Sequence, residues 1–310
     1  MLQAKKASRF NMNGYKKIIK SRSMRMRILS MLNWLPDKAM LKLQYRIKLH
    51  RKLNLKNPQR FTEKLQWYKI NYRNPVMHNC VDKFEVRDYV KSKGLEDTLV
   101  KIYGVYDSAD DIDFNTLPNT FVLKSTDGGG GLNVAICNDK STFDAKAHTD
   151  AFNIGYKLSK KHPGREWAYV GIKHKIIVEE LLVNDINPKA GIDDYKIFCF
   201  NGEPKCIVVD TDRYILHKRN FYDEDWNCLN VTSDAPACDR IIPKPENFDK
   251  MMHVARKLSE DFPFVRVDLY NVGGKIYFGE LTFYPWSGYV QYTPDEFDFK
   301  LGEMFVLPEI

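Results

Sequence analysis

No apolar run in this sequence approaches the roughly 18 residues that a membrane span requires. The longest stretches, such as Lys175 to Val183, are short and broken by charge. A secretory leader pattern is also missing. Lys and Arg continue through Arg22, Arg25 and Arg27, and no uninterrupted apolar segment follows them, so a cytoplasmic protein is expected. Cysteine is sparse. Cys80, Cys137, Cys199, Cys206, Cys228 and Cys238 are scattered without a C-x-x-C pair, which predicts reduced thiols rather than a disulfide frame or a zinc site. There is no internal repeat, no low-complexity tract and no G-x-S-x-G. His50, His78, His148, His162, His174, His217 and His253 form no H-E-x-x-H or other metal spacing.

Acid is nearly absent from the start of the chain. Residues 1–60 hold 17 Lys/Arg against one acid, Asp37, a net of +16, while the whole chain of 310 residues carries only +8. The remainder is therefore mildly acidic. Apolar residues make up 44% and aromatics 13%, enough for a sizeable core and against a disordered chain. In the basic segment, apolar residues from Met24 to Leu35 and from Leu41 to Leu49 predict two short helices parted near Pro36-Asp37. Three readings of that segment stay open: a basic face on an anionic membrane, a solvated face whose other side packs on the body, and nucleic-acid binding. The last has no accompanying motif, and no nucleic acid is expected.

Between Pro58 and Pro75, Thr62 reads as the cap of a helix, and a second helix is predicted from Val81 to about Ser92, ending near Gly94. From Thr120 onward, strands are predicted at Thr120–Ser125, Leu132–Cys137 and Lys175–Leu182. Helices are predicted at 142–160 and 245–261. Two strand pairs follow, Tyr195–Phe200 with Lys205–Val209 and Phe264–Tyr270 with Lys275–Phe283. The polar stretch Asn184–Gly191 reads as a hinge or linker. The elements mix without βαβ alternation, which predicts an α+β fold.

The last hairpin carries the most chemistry. With a turn at Gly273-Gly274, Asp268 faces Glu280 and Arg266 faces Thr282, all on one side of the ladder. Opposed carboxylates repel unless a cation lies between them, and oxygen donors suit Mg²⁺ or Mn²⁺. Solvent exposure or neighbouring lysines would also satisfy them. A second feature is Lys124 before Asp127-Gly128-Gly129-Gly130-Gly131. A strand-end lysine and a glycine turn suit phosphate oxygens, and equally a plain hairpin loop. Glu179 and Glu180 interrupt an apolar strand and call for a donor, a cation or a surface position. Lys196, near Asp194, and Arg213, with Asp210 on the returning strand, can both reach an anion, and equally read as solvated strand charges.

Taken in order, the strings Asn57–Trp67, Asp82-Lys83, Leu117–Lys124, Val178–Leu181, Asp194–Gly202, Phe264–Tyr270 and Phe278–Pro285 resemble the teichuronopeptide-biosynthesis (TupA-like) branch of the ATP-grasp superfamily. The resemblance covers about Asn57 to Leu307. It implies two α+β lobes clamping ATP, with residues 1–75 a basic helical N-terminal segment, 76–183 a first lobe with the glycine-rich loop, and 184–310 a second lobe with the metal-binding hairpin. It further implies that Lys83 and Lys124 hold nucleotide phosphates and that Asp127 to Gly131, including Gly128, Gly129 and Gly130, cover them. This loop departs from the expected Asn-His-Gly-Ser-Gly. Glu179, Glu180, Leu181 and Leu182 match the hinge beside the adenine. Lys196 and Arg213 match bases facing the γ-phosphate or acyl phosphate, and Arg266 the arginine at the transferring phosphoryl group. Asp268 and Glu280 match the metal ligands, with Thr282 where many relatives have Asn.

The activity implied is ATP-dependent ligation of a carboxylate to an amine through an acyl phosphate, with ATP and Mg²⁺ or Mn²⁺ as cofactors. The implied substrates are an amine, such as an amino acid, and a small-molecule or glycan carboxylate of a bacterial surface polysaccharide (capsule, O-antigen or teichuronopeptide). The basic segment would suit an acidic glycan, or a lipid-linked precursor at the inner membrane face, with peripheral association there. The alternatives are a glycosyltransferase of the same pathway, for which Asp210-Thr-Asp212 is the sole D-x-D candidate, a kinase-like phosphotransferase, and a catalytically silent scaffold.

Overall fold

The computed structural model describes residues 22–128, 134–159, 164–184 and 187–309. The fold is α+β, as the sequence predicts, and is built on two antiparallel sheets. The first contains β1 (Ile102–Tyr106), β2 (Phe121–Ser125), β3 (Val134–Cys137) and β4 (Ile176–Glu179) in the order β1-β4-β2-β3. The second contains β5 (Asp194–Phe200), β6 (Glu203–Thr211), β7 (Lys218–Asp223), β8 (Cys228–Leu229), β9 (Phe264–Val272) and β10 (Lys275–Thr282) in the order β10-β9-β5-β6-β7-β8. Every residue of β5 is buried, as befits a central strand. Two-residue turns close its hairpin and that of β9–β10. Asn201 (φ 50°) and Gly202 (φ 81°) form one, Gly273 (φ 57°) and Gly274 (φ 77°) the other, a left-handed pair that suits the twist of paired strands.

The helices are α1 (Arg22–Met31), α2 (Asp37–Leu49), α3 (Phe61–Asn71), α4 (Val76–Val81), α5 (Val86–Ser92), α6 (Ala145–Ser159), α7 (Phe248–Ser259) and α8 (Glu296–Met304). α7 buries Phe248, Met251, Met252, Ala255 and Leu258, one stripe at helical spacing, and packs on β5, β6 and β9. α3 sends Phe61 into an aromatic cluster with Phe198, Phe200, Phe264 and Phe305. α2 buries Leu41, Tyr45 and Leu49 against Leu53 and Tyr289, so one side of the basic segment is core. Among the described residues no helix is long and apolar enough to cross a membrane. All six cysteines are free thiols.

Several expectations are corrected. Thr62 is not the cap of α3. Glu63 accepts the Arg60 N–H instead, and Thr62 is buried inside the helix, bonded to Tyr45 and to the Asp298 carboxylate. The helix predicted from Val81 is broken, because Asp82 accepts the N–H groups of Phe84 and Glu85 and turns the chain before α5. β4 ends at Glu179, so Leu181 and Leu182 lie past the strand. Arg213 lies past the end of β6, beyond a left-handed Asp212 (φ 53°). β1, β7, β8 and α8 are additions to the elements read from sequence.

Candidate functional site

β5, β9 and β10 lie side by side, and the ladder pairs Lys196 with Asp268, Asp268 with Glu280, and Arg266 with Thr282. Asp194 pairs with Asp210 on β6. The side-chain period of two therefore gathers these charged groups on one face. The opposite face, with Ile197, Val265, Val267 and Leu269 buried, packs under α7.

The facing of Glu280 and Asp268 depends on a bulge. From the turn, Val272 pairs with Lys275, and that register runs to Leu269 with Phe278. Continued, it would set Glu280 against Val267 on the apolar side. A one-residue slip at Gly279 restores the pairing with Asp268. The sequence reading has the register at the site and misses the different register nearer the turn.

Arg266 ties the face together. Its Nε and Nη2 donate to the two Asp268 oxygens at 2.6 Å each, and Nη2 also donates to Thr282 Oγ1 at 3.1 Å and Glu280 Oε1 at 3.3 Å. Burial alone would lower the guanidinium, but Asp268, Glu280 and Asp194 hold it above its ordinary value. Burial raises Asp268, against the pull of Arg266 and Lys196. Glu280 is depressed: burial is outweighed by Lys83, Arg266 and Lys196. Lys196 bonds Asp194 and lies 3.4 Å from Asp210 and 3.7 Å from Asp268. Arg213 reaches Asp194 at 3.0 Å.

Sequence reasoning missed the groups around Asp210. Arg219 grips it at 2.6 and 3.1 Å, and His217 Nε2 lies 2.9 Å away. Burial is overcome by His217, Arg219 and Lys196, which hold Asp210 far below the usual carboxylate range. Both partners sit on or beside β7, a strand too polar to be recognised. Trp286 was also missed. Its ring lies 4.6 Å from the Arg219 guanidinium and 5.5 Å from that of Arg266. Trp286 (φ 47°) and Ser287 (φ 58°) are left-handed, and α3 holds their turn: Gln66 donates to the Ser287 and Gly288 carbonyls, and buried Lys69 to Ser287.

The remaining residues singled out by the sequence lie on the first sheet and just past α4. Lys83 follows Asp82; its N–H donates to the Thr126 carbonyl at 3.0 Å and its ammonium to the Gly128 carbonyl. α4, the helix before it, packs against β10. Lys124, on β2, pairs with buried Glu179, on β4, at 2.6 Å. Glu180 is exposed, with its N–H on the Lys101 carbonyl. Leu181 and Leu182 are half-buried beside it. His174 Nδ1 lies 2.8 Å from Asp127. Gly129 and Gly130 lie outside the described residues.

Among the described residues no group of three or more His, Cys, Asp or Glu side chains stands together as a metal site. The donors present are nonetheless those of a hard divalent ion shared with phosphate: facing Asp268 and Glu280, with the Thr282 hydroxyl. Asp194 Oδ1 beside them is buried and unpartnered among the described residues. The residues fit Mg²⁺ or Mn²⁺, with Arg266 providing the neutralising charge otherwise.

A model of the TupA-like ATPgrasp family matches residues 63–306. No curated protein sequence matches the chain. Similar solved structures include a D-alanine–D-alanine ligase from Bacillus anthracis (16% identity, 66% of this chain and 56% of that one, TM-score 0.40). Others are an L-amino acid ligase from Bacillus licheniformis (15%, 73% and 49%, TM-score 0.43) and a biotin carboxylase from Campylobacter jejuni (13%, 74% and 47%, TM-score 0.40). The chain thus spans about half the length of each of these proteins. The family match runs from Glu63 on α3 to Val306 beyond α8 and takes in both sheets, Lys83, Lys124 and the charged face on β5, β9 and β10: the chain belongs to the TupA-like ATP-grasp family.

Proposed function

We propose that this protein is an ATP-dependent carboxylate–amine ligase, with nucleotide held between residues 76–183 and residues 184–310. The observation that carries the reading is Arg266, buried and bridging Asp268, Glu280 and Thr282 within a chain of this family. A carboxylate oxygen attacks the γ-phosphorus and ADP leaves. The amine then attacks the acyl carbon, the C–O bond to phosphate breaks, and an amide, phosphate and a proton result. Asp268, Glu280 and Thr282 would hold Mg²⁺, which when bound screens phosphate charge. Lys83 and Lys124 bind the phosphates, with the Gly128 carbonyl at the Lys83 ammonium. Glu179 to Leu182 border the adenine. Lys196 and Arg213 face the γ-phosphate or acyl phosphate, and Arg266 offsets charge that builds on the transferring group.

The acceptor carboxylate belongs to an acidic unit of a bacterial surface polysaccharide, and the basic N-terminal segment keeps the enzyme at the inner membrane face. Two observations support this second part: the strong positive charge of residues 1–60 and the exposed apolar residues of α1. The glycosyltransferase reading has less support, because Asp210 of the D-x-D string is gripped by Arg219 rather than open to a metal.

The experiment is a thermal-shift titration of wild type and Glu280→Ala with ATP, GTP and UDP-sugars, with and without Mg²⁺. Mg-ATP is expected to raise the melting temperature of the wild type alone. A shift with UDP-sugars only would favour glycosyl transfer, and no shift with any nucleotide would overturn the ligase reading.

A further inference from the structure

Away from the charged face, α2, the segment after it and α3 enclose an open cavity of about 460 Å³. That is within the roughly 300–1,000 Å³ of small-molecule sites. Its apolar lining is Leu53, Leu55 and Ile70 with the half-buried Trp67. Lys38, Lys42 and Lys56 line it, and no acid does. Lys38 and Lys42 are four apart on α2, a like-charge spacing that weakens a helix. Among the described residues none of these three ammonium groups has a carboxylate partner.

We propose that this cavity binds an anionic saccharide, a sugar bearing carboxylate or phosphate groups. The apolar C–H face of a pyranose ring packs on the Trp67 indole, while its charged substituents meet the lysines. The lysines belong to two separate segments, Lys38 and Lys42 to α2 and Lys56 to the chain beyond it, and stand with the indole of α3. Such spread charge suits acidic groups spaced along a saccharide better than one compact phosphate. The wall also has a route to the charged face. Trp67 and Ile70 line the cavity, whereas Gln66 and Lys69 of the same helix hold the Ser287 turn that sets Trp286 beside Arg266. A saccharide held here would be gripped at a distance from the reacting carboxylate. The choice of saccharide among anions rests on the surface-polysaccharide part of the proposed function.

The test is calorimetry on the full chain with a galacturonic acid trisaccharide, the neutral galactose trisaccharide, glucose 1-phosphate, inorganic phosphate and phosphatidylglycerol vesicles. The variants are the triple Lys38→Ser, Lys42→Ser, Lys56→Ser, together with Trp67→Ala and Trp67→Phe. The acidic trisaccharide is expected to bind the wild type, and more tightly than glucose 1-phosphate, whose single phosphate meets fewer of the lysines. Binding should weaken about tenfold or more in the triple variant and in Trp67→Ala, recover in part in Trp67→Phe, and fall with salt. The Mg-ATP thermal shift, recorded on every variant, should stay unchanged and shows that each is folded. Equal binding of the neutral trisaccharide, inorganic phosphate bound as tightly as the sugars, binding only to vesicles, or no binding by the wild type would each overturn the site. Loss of the Mg-ATP shift in the wild type would instead sink the ligase reading and leave the cavity result standing.

Discussion

Glu280 stands across from Asp268 because Gly279, the residue before it, is bulged out of the β9–β10 ladder. A Cβ at position 279 would come within 2.9 Å of the Asp268 carbonyl oxygen and 3.2 Å of the Tyr270 ring. Gly279→Val should therefore push the two strands apart or erase the bulge, turning Glu280 toward the apolar face. The expected cost is about 1–3 kcal/mol in urea denaturation, the usual range for overpacking. The Mg-ATP thermal shift should disappear with it. A variant that is destabilised yet keeps the full shift would show that nucleotide binding does not need this alignment.

Arg266→Lys keeps the charge but loses the fork that spans Asp268, Glu280 and Thr282. If the guanidinium stabilises the transferring phosphoryl group, the loss belongs to kcat more than to binding. ADP release in the presence of a working carboxylate–amine pair should fall by about two orders of magnitude, the scale seen when one preorganised donor is removed. Mg-ATP affinity should change much less. An equal fall in affinity and rate would assign Arg266 to ground-state binding.

The hairpin chemistry was legible because it is local. A glycine turn and a period of two bring Arg266, Asp268, Glu280 and Thr282 together, and the family strings name the same residues. The bulge at Gly279 was not legible, since a lone glycine inside a strand does not say by how much the ladder slips. Trp286 was hidden for a different reason. Its place depends on Gln66 and Lys69, more than two hundred residues earlier in the chain. β1 and β7 escaped notice because Gly104 and the run Lys218-Arg-Asn220 mask their alternation. α8 also escaped, because Gly302 reads as a helix breaker. A Cβ there would come within 2.0 Å of the Gln59 carbonyl oxygen, so the glycine lets α8 close on the start of α3.

Lys69 gives a pH signature of the turn that carries Trp286. Its ammonium is fully buried, donates to Ser287 at 2.9 and 3.0 Å, and lies 3.8 Å from Glu166. Burial, only partly offset by Glu166, lowers it from 10.5 to about 8. Above that value the folded state has shed a proton that the unfolded chain still holds. Stability from this group should thus rise between pH 8 and 10.5 and be missing below pH 8. The slope should approach, at most, about 1.4 kcal/mol per pH unit. Tyrosines and cysteines that titrate on unfolding are common to wild type and Lys69→Met, so the difference between their urea-denaturation curves isolates the lysine. Parallel pH profiles for the two proteins would refute the assignment.

Membrane contact should reside in α1 and not in the whole basic segment. Leu41 and Tyr45 are fully buried, Arg51 pairs with Asp295, and Arg165 donates to the Leu35 carbonyl, so the chain from about Leu35 belongs to the fold. On α1, by contrast, Met24, Ile28 and Met31 recur at helical spacing and are 54%, 39% and 76% exposed, with Trp34 just beyond at 77%. Arg27 beside them is exposed as well. That pattern suits shallow insertion into an anionic surface, where apolar burial and charge act together. Changing Met24, Ile28, Met31 and Trp34 to serine removes the stripe without touching α2. The wild type should sediment with phosphatidylglycerol vesicles at low salt and much less with phosphatidylcholine, and the serine variant should remain in the supernatant with both. If wild type and variant pellet equally on anionic vesicles, α1 is not the anchor and the charge of residues 1–60 acts on a different partner.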